Sequence, residues 1–177
     1  MKLKLRITTK DKNQFIAVFP FSFYWSIKMI KKILVAIDGS EASKHAMDFA
    51  IDLAKQTFAE IQLLTVVPPV LLPPLGFIKV KSKAIKELQC ELETIYCKIL
   101  AKSLDEVQKR GTQLKVSTSL EKGEPHKKIL QTAKLGNFDL IVIGSRGLGS
   151  RFTALGSVSS RVIDEALCPV TVTRWRN

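Results

Sequence analysis

The sequence predicts an α/β fold, a doubly wound five-stranded parallel sheet with helices on both faces. Three observations carry this reading. From Met29 onward, short continuous apolar runs alternate with segments of helical period; the runs are apolar at nearly every position; and turn residues separate the two kinds of segment. A strand apolar on both faces belongs inside a parallel sheet, and strand–helix alternation supplies the right-handed crossovers that such a sheet needs. With 177 residues, 46% hydrophobic and 25% charged, the chain has the composition of one ordinary folded domain.

The elements follow in order. Ile33–Ile37 is the first apolar run, closed by Asp38-Gly39-Ser40. Ala42, Ala46, Phe49, Ala50, Leu53 and Ala54 then recur at helical spacing, with Ser40 or Asp38 able to cap the first turn and Glu41 near the positive end of the dipole. Ile61–Val67 is the second strand, stopped by Pro68-Pro69, and a proline-rich loop runs on to about Val80. Lys81 to Arg110 reads as one long helix, with Ile85, Leu88, Leu92, Ile95, Tyr96, Ile99, Leu100, Leu104 and Val107 in helical period. Gln113–Leu120 alternates apolar with polar, as a strand near a sheet edge does.

Glu124–Leu135 is a short helix with Pro125 in its first turn and Gly136 past its end. Phe138–Ile143 is the next buried strand, Ser157–Leu167 the last helix and Pro169–Thr173 the last strand. That strand ends the sheet and leaves an edge at Val170–Thr173, so a homodimer paired through it is expected.

Residues 1–28 differ from the remainder. They hold Lys2, Lys4, Arg6, Lys10, Lys12 and Lys28 against Asp11 alone, carrying +5 of the net +12 and leaving +7 for the rest. The apolar stretch Phe15–Ile27 is interrupted by Pro20 and is shorter than the ~20 residues that span a bilayer. The expectation is an extension, 1–28, that is a disordered arm or a start-codon artefact, ahead of a functional domain at 29–177. A basic surplus suits an anionic partner, but acids such as Glu87, Glu91 and Glu93 interrupt the basic residues of the long helix, which argues against nucleic acid. No membrane partner is expected. Three cysteines and two histidines make neither a disulfide framework nor a zinc site, and the expected location is cytoplasmic. His126 reads as exposed and inert, and Cys168 as a packing thiol without a neighbouring base.

In a doubly wound sheet, ligands bind beyond the carboxyl ends of the strands where the strand order reverses. Two turns reach that place: Asp38-Gly39-Ser40, and the glycine-rich stretch Gly144-Ser-Arg146-Gly147 leading through Gly149 and Arg151 to Gly156-Ser157-Val158-Ser159. Glycines bring backbone N–H groups close to an anion, and a helix opening at Ser157 presents its unpaired N–H groups to the same space. A phosphate group suits that arrangement. A side chain introduced at Gly144 is expected to block the cradle. Neither the Walker pattern nor the dinucleotide fingerprint is present.

From Met29 to Arg174 the chain resembles the universal stress protein family, in particular its nucleotide-binding branch. The resemblance lies in Ile33-Leu-Val-Ala-Ile-Asp38-Gly-Ser40, Asp139-Leu-Ile-Val-Ile-Gly144-Ser-Arg-Gly147, Gly156-Ser157-Val158-Ser159 and Ala166-Leu-Cys168-Pro169-Val170. It implies a Rossmann-like sheet of strand order 3-2-1-4-5, a homodimer and ATP, with Mg²⁺ as its companion, in the switch-point cleft. It further implies that Asp38 meets the ribose or the phosphate–metal region and that Val66 lies by the adenine. Gly144, Arg146, Gly147, Gly156, Ser157, Val158 and Ser159 would hold ribose and phosphates. The eight residues Leu148–Leu155 are one fewer than the family pattern places between these glycines. No base for positioning water is identifiable, so the resemblance points to a stress-response module with little or no ATP turnover. The alternative is a nucleotide-free dimeric module acting through protein partners.

Overall fold

The computed structural model describes residues 2–8, 14–20, 30–70, 82–110, 113–147 and 155–174. Seven strands form one sheet: β1 (Lys2–Thr8), β2 (Gln14–Pro20), β3 (Lys32–Ala36), β4 (Glu60–Val67), β5 (Val116–Lys122), β6 (Leu140–Gly144) and β7 (Val170–Thr173). Their order is β1-β2-β7-β6-β3-β4-β5. The five strands from β3 to β7 are mutually parallel, and taken alone they have the order 3-2-1-4-5. Between them run α1 (Glu41–Thr57), α2 (Ser82–Arg110), α3 (Pro125–Leu135) and α4 (Ser157–Glu165).

The uninterrupted apolar runs are explained by two cores rather than one. Successive strand residues point to opposite faces, so Ile33 and Val35 join α1 and α2 in one core, while Leu34 and Ala36 join α3 and α4 in the other. Ile33, Leu34 and Val35 are consequently all fully buried. At the opening end of the sheet, the Asp139 carboxylate accepts from the backbone N–H groups of Lys31 (3.0 Å) and Lys32 (3.1 Å), locking the start of β3 to the start of β6.

The helix boundaries have local causes. Ser40 is the N-cap of α1, its hydroxyl accepting from the Ser43 N–H at 3.2 Å, so the capping role falls to Ser40 and not to Asp38. Phe58 ends α1 in the left-handed conformation at φ 57° and is fully exposed. Pro125 opens α3, where its missing N–H costs nothing, and Gly136 follows its last turn.

Two differences from the sequence expectation concern the sheet. β5 occupies Val116–Lys122 rather than Gln113–Leu120: alternation identifies a strand's two faces, but its start is fixed by pairing with β4, where Ile61 opposes Val116. The edge expected at Val170–Thr173 is not free. β2 runs antiparallel beside it, with Phe15, Ile16, Ala17 and Val18 opposite Thr173, Val172, Thr171 and Val170. Two strands thus stand within residues 1–28, the extension expected to be a disordered arm or a start-codon artefact, and an open ladder of backbone N–H and C=O groups is satisfied by whichever strand reaches it.

Candidate functional site

The carboxyl ends of β3 and β6, neighbours at the reversal of strand order, open into a cleft of about 680 Å³. Much of its lining is apolar, with Ala36, Ile37, Leu64, Val66, Ile129 and Ile143 among the lining residues. Asp38, Gly144, Arg146, Gly147, Gly156, Ser157, Val158 and Ser159 also line it, so all nine residues singled out from the sequence face one cavity. The loop between Gly147 and Leu155, which holds Gly149 and Arg151, lies outside the described residues.

Asp38 is positioned by its own turn. Its Oδ1 accepts from the Ser40 N–H at 3.0 Å and from the Ser40 hydroxyl at 2.6 Å, while Gly39 turns the chain at φ +84°. The other oxygen faces Gly147: a Cβ at that glycine would lie 2.7 Å from Asp38 Oδ2. Gly147 therefore allows the second glycine turn to approach the carboxylate. Ser40 also donates from its hydroxyl to the Arg146 carbonyl at 3.3 Å, tying the two turns together.

Across the cleft, α4 begins at Gly156. The Gly156 N–H donates to the Ser145 carbonyl at 2.7 Å, and Ser160 is the first residue whose N–H bonds within the helix, to Gly156 O at 3.0 Å. The N–H groups of Ser157, Val158 and Ser159 precede that bond and form the positive end of the helix dipole. The Ser159 hydroxyl is buried and donates toward the Ser145 and Gly156 carbonyls, each at 3.0 Å, so this side chain braces the loop. Ser157, by contrast, is exposed at the helix start.

Gly144 has a different reason for being glycine from the one the sequence suggests. A Cβ there would lie 2.7 Å from the Ala42 carbonyl carbon and 2.9 Å from the Ala42 oxygen, against the backbone of α1. A substitution at Gly144 would therefore strike α1 before it filled the cradle, which corrects the expectation of a simple block.

Three site features were not legible in the sequence. Tyr96 of α2 lines the cleft, and burial, with a smaller effect from the Asp38 carboxylate, pushes its phenol above its ordinary pKa. Its helical spacing marks it only as a packing position. Pro125 and Ile129 of α3 close another side. His126, expected to be exposed, is buried, with Nε2 3.4 Å from Arg161 Nη1 and 3.8 Å from Glu124 Oε2, because α3 packs its first turn against α4. Cys168 is partly buried against the α3–α4 core, and burial raises its thiol to about 11. Among the described residues no group of three or more His, Cys, Asp or Glu side chains could hold a metal ion by itself, and Asp38 is the only carboxylate lining the cleft. No helix among them is long and apolar enough to cross a membrane.

The sequence profile described as the universal stress protein family matches residues 29–174, which contain both turns of this cleft. The chain belongs to the universal stress protein family. Universal stress protein YxiE of Bacillus subtilis (strain 168) is 37% identical over 150 residues, covering 82% of this chain and all of that protein. Among solved structures, the fold resembles universal stress protein UspA from Lactobacillus plantarum at a TM-score of 0.70 and 26% identity, covering 83% of this chain and 98% of the other. The universal stress protein from Archaeoglobus fulgidus, described in complex with dAMP, shares the fold at a TM-score of 0.55 and 23% identity, covering 82% of this chain and 98% of the other. The matched span runs through both the Asp38 turn and the Gly144–Ser159 stretch. It leaves residues 1–28 outside the matched span.

Proposed function

We propose that this universal stress protein binds a nucleotide, ATP with Mg²⁺, in the cleft between β3 and β6 and serves in the cytoplasm as a regulatory, stress-response module with little or no turnover. One observation carries the reading: the first three residues of α4, Ser157, Val158 and Ser159, and the Asp38 carboxylate line one largely apolar cavity of about 680 Å³. That volume lies within the ~300–1,000 Å³ of small-molecule sites. The apolar end, with Val66, suits an adenine base; the helix start and the glycine turns suit phosphates. Asp38 would supply a single carboxylate to a Mg²⁺ held otherwise by phosphate oxygens and water, the usual arrangement for this ion. The family relative held with dAMP supports an adenine nucleotide as the guest.

The described lining supports low turnover. Among the described residues Asp38 and Arg146 are the charged side chains that line it, and one oxygen of Asp38 is engaged by Ser40. Phosphoryl transfer to water depends on a residue that positions the nucleophile, and the described lining supplies no further acid or histidine for that task. Self-association through Val170–Thr173 belongs to this reading only with β2 withdrawn, because β2 occupies that edge.

The test is calorimetric titration of the full chain with ATP and Mg²⁺, alongside a Ser157→Glu variant. Ser157 is exposed at the start of α4, where an acid suits the dipole, so the variant is expected to fold as well as the wild type and to bind ATP at least ten-fold more weakly. No heat above background at millimolar ATP for the wild type would defeat the proposal. Phosphate release far above a protein-free control would defeat the low-turnover part.

A further inference from the structure

The hairpin β1–β2 precedes the span matched by the family profile, yet its second strand covers every residue of β7. β7 pairs with β6 on its other side, so without β2 it would be the terminal strand of the sheet. Its sequence is Val-Thr-Val-Thr: β-branched throughout, uncharged, and free of proline. These are the properties of a strand that pairs readily, and none of the usual protections of an edge is built into it. β1, which becomes the terminal strand instead, reads Lys-Leu-Lys-Leu-Arg-Ile-Thr, with a cation at alternate positions. Lysine-rich outer strands resist further pairing, since a second copy would bring like charges together. The hairpin thus exchanges an adhesive edge for a repelling one.

We propose that the N-terminal hairpin is an edge cap: β2 occupies in cis the β7 ladder that a second copy of this chain would otherwise pair with, and dimerisation through β7 requires its withdrawal. Two β7 edges related by a two-fold axis would meet antiparallel, the same sense in which β2 now lies. The competition favours the cap because it is tethered. An attached strand acts at an effective concentration of about millimolar, against micromolar for a free second copy, which favours the cap by roughly 10³-fold on each chain; both copies must withdraw β2, so dimerisation is weakened by at least that factor. The proposal is independent of any nucleotide in the cleft.

Sedimentation of the full chain, over a concentration series, tests it against a full-length variant carrying Ile16→Pro and Ala17→Pro. Adjacent residues of an antiparallel strand aim their N–H groups to opposite sides, so this pair removes donors to both β1 and β7 whichever phase the ladder has. The expected result is a monomeric wild type whose β2-facing β7 amides are protected from hydrogen exchange, and a variant that dimerises at concentrations at least about 10³-fold lower. A wild type that dimerises as tightly as the variant overturns the cap. A variant that stays monomeric overturns it too: with the β2-facing β7 amides still protected, β2 is not what covers them; with those amides exposed, a second copy is not the competitor.

An oxidised Ala17→Cys, Thr171→Cys full chain provides the readout that does not depend on tolerance of proline. These residues oppose one another, so the cap predicts a bridge within one chain. A 17–171 bridge found only between chains, or no bridge at all, would overturn the cis arrangement.

Discussion

Gly144→Ala adds one methyl group where β6 ends beneath α1. That methyl carbon would stand 2.7 Å from the Ala42 carbonyl carbon, 2.9 Å from its Cβ and 2.9 Å from its oxygen. Carbon atoms rest at about 3.5–4.0 Å, so relief requires α1 and β6 to part by roughly 0.8 Å. α1 is poorly placed to move. The Thr173 hydroxyl donates to the Ala42 carbonyl at 3.1 Å, and Ala42, Ala46, Ala50 and Ala54 are all buried. Overpacking costs about 1–3 kcal/mol, and the upper half of that range is expected because the atoms struck are backbone.

Urea unfolding followed by circular dichroism measures this directly. Gly156→Ala is the control: its nearest neighbour would be the Ser145 oxygen at 3.5 Å, an ordinary contact, and loss of a glycine N-cap costs less than about 1 kcal/mol. A Gly144→Ala protein within about 0.5 kcal/mol of wild type, with an unchanged denaturant slope, would refute the close approach of α1 and β6. The result also decides how a binding defect at Gly144 is to be understood. Loss of ligand there reports a displaced helix, whereas loss at Ser157 reports the cradle.

Other substitutions separate roles in the same way. Asp38→Ala removes the acceptor for two Ser40 donors and should cost about 1–2 kcal/mol, while Asp38→Asn keeps a carbonyl oxygen and should recover most of it; equal stability of wild type and Asp38→Ala by chemical denaturation would show that the carboxylate does not hold the turn. Asp139→Ala strips the acceptor from two backbone N–H groups where β3 begins and should cost about 2–4 kcal/mol, and a melting temperature equal to wild type would contradict the clasp. Cys168, raised from 9.0 to about 11, holds about 100-fold less thiolate at pH 8 than an ordinary thiol, so iodoacetamide should label exposed Cys90 and Cys97 well before it; equal rates at the three sites, read by mass spectrometry, would contradict its burial. Because the folded value lies above the unfolded one, the stability linked to Cys168 is fully present below pH 9 and is lost as pH rises toward 11.

Much of the fold was legible because its signals are local. Apolar runs, helical spacing at Ala42–Ala54, Pro125 and Gly136 around α3, and proline at the entry to β7 each act within a few residues of themselves. The two turns of the cleft were legible for a similar reason, since the carboxyl ends of parallel strands carry them to one side of the sheet, whereas Val66 and the strand order that sets the reversal came only with the resemblance to the universal stress protein family. Tyr96 and His126 were not. Each belongs to a helix whose period says which positions are buried but not which neighbour buries them, and α2 over the cleft and α3 against α4 supply those neighbours.

By itself, then, the sequence determined the kind and order of the elements from β3 to β7 and the turns that carry the cleft, because hydrophobic period and turn chemistry are properties of contiguous residues. The tertiary structure alone decided that Gly144 is glycine to admit α1, that Ser159 braces the loop, and that β7 is covered by β2. Each of these depends on a partner distant in the chain. β7 shows the reason most plainly: four residues announce a strand that needs a neighbour, but an unpaired ladder accepts any backbone of the right shape, and only the folded chain chooses which one arrives.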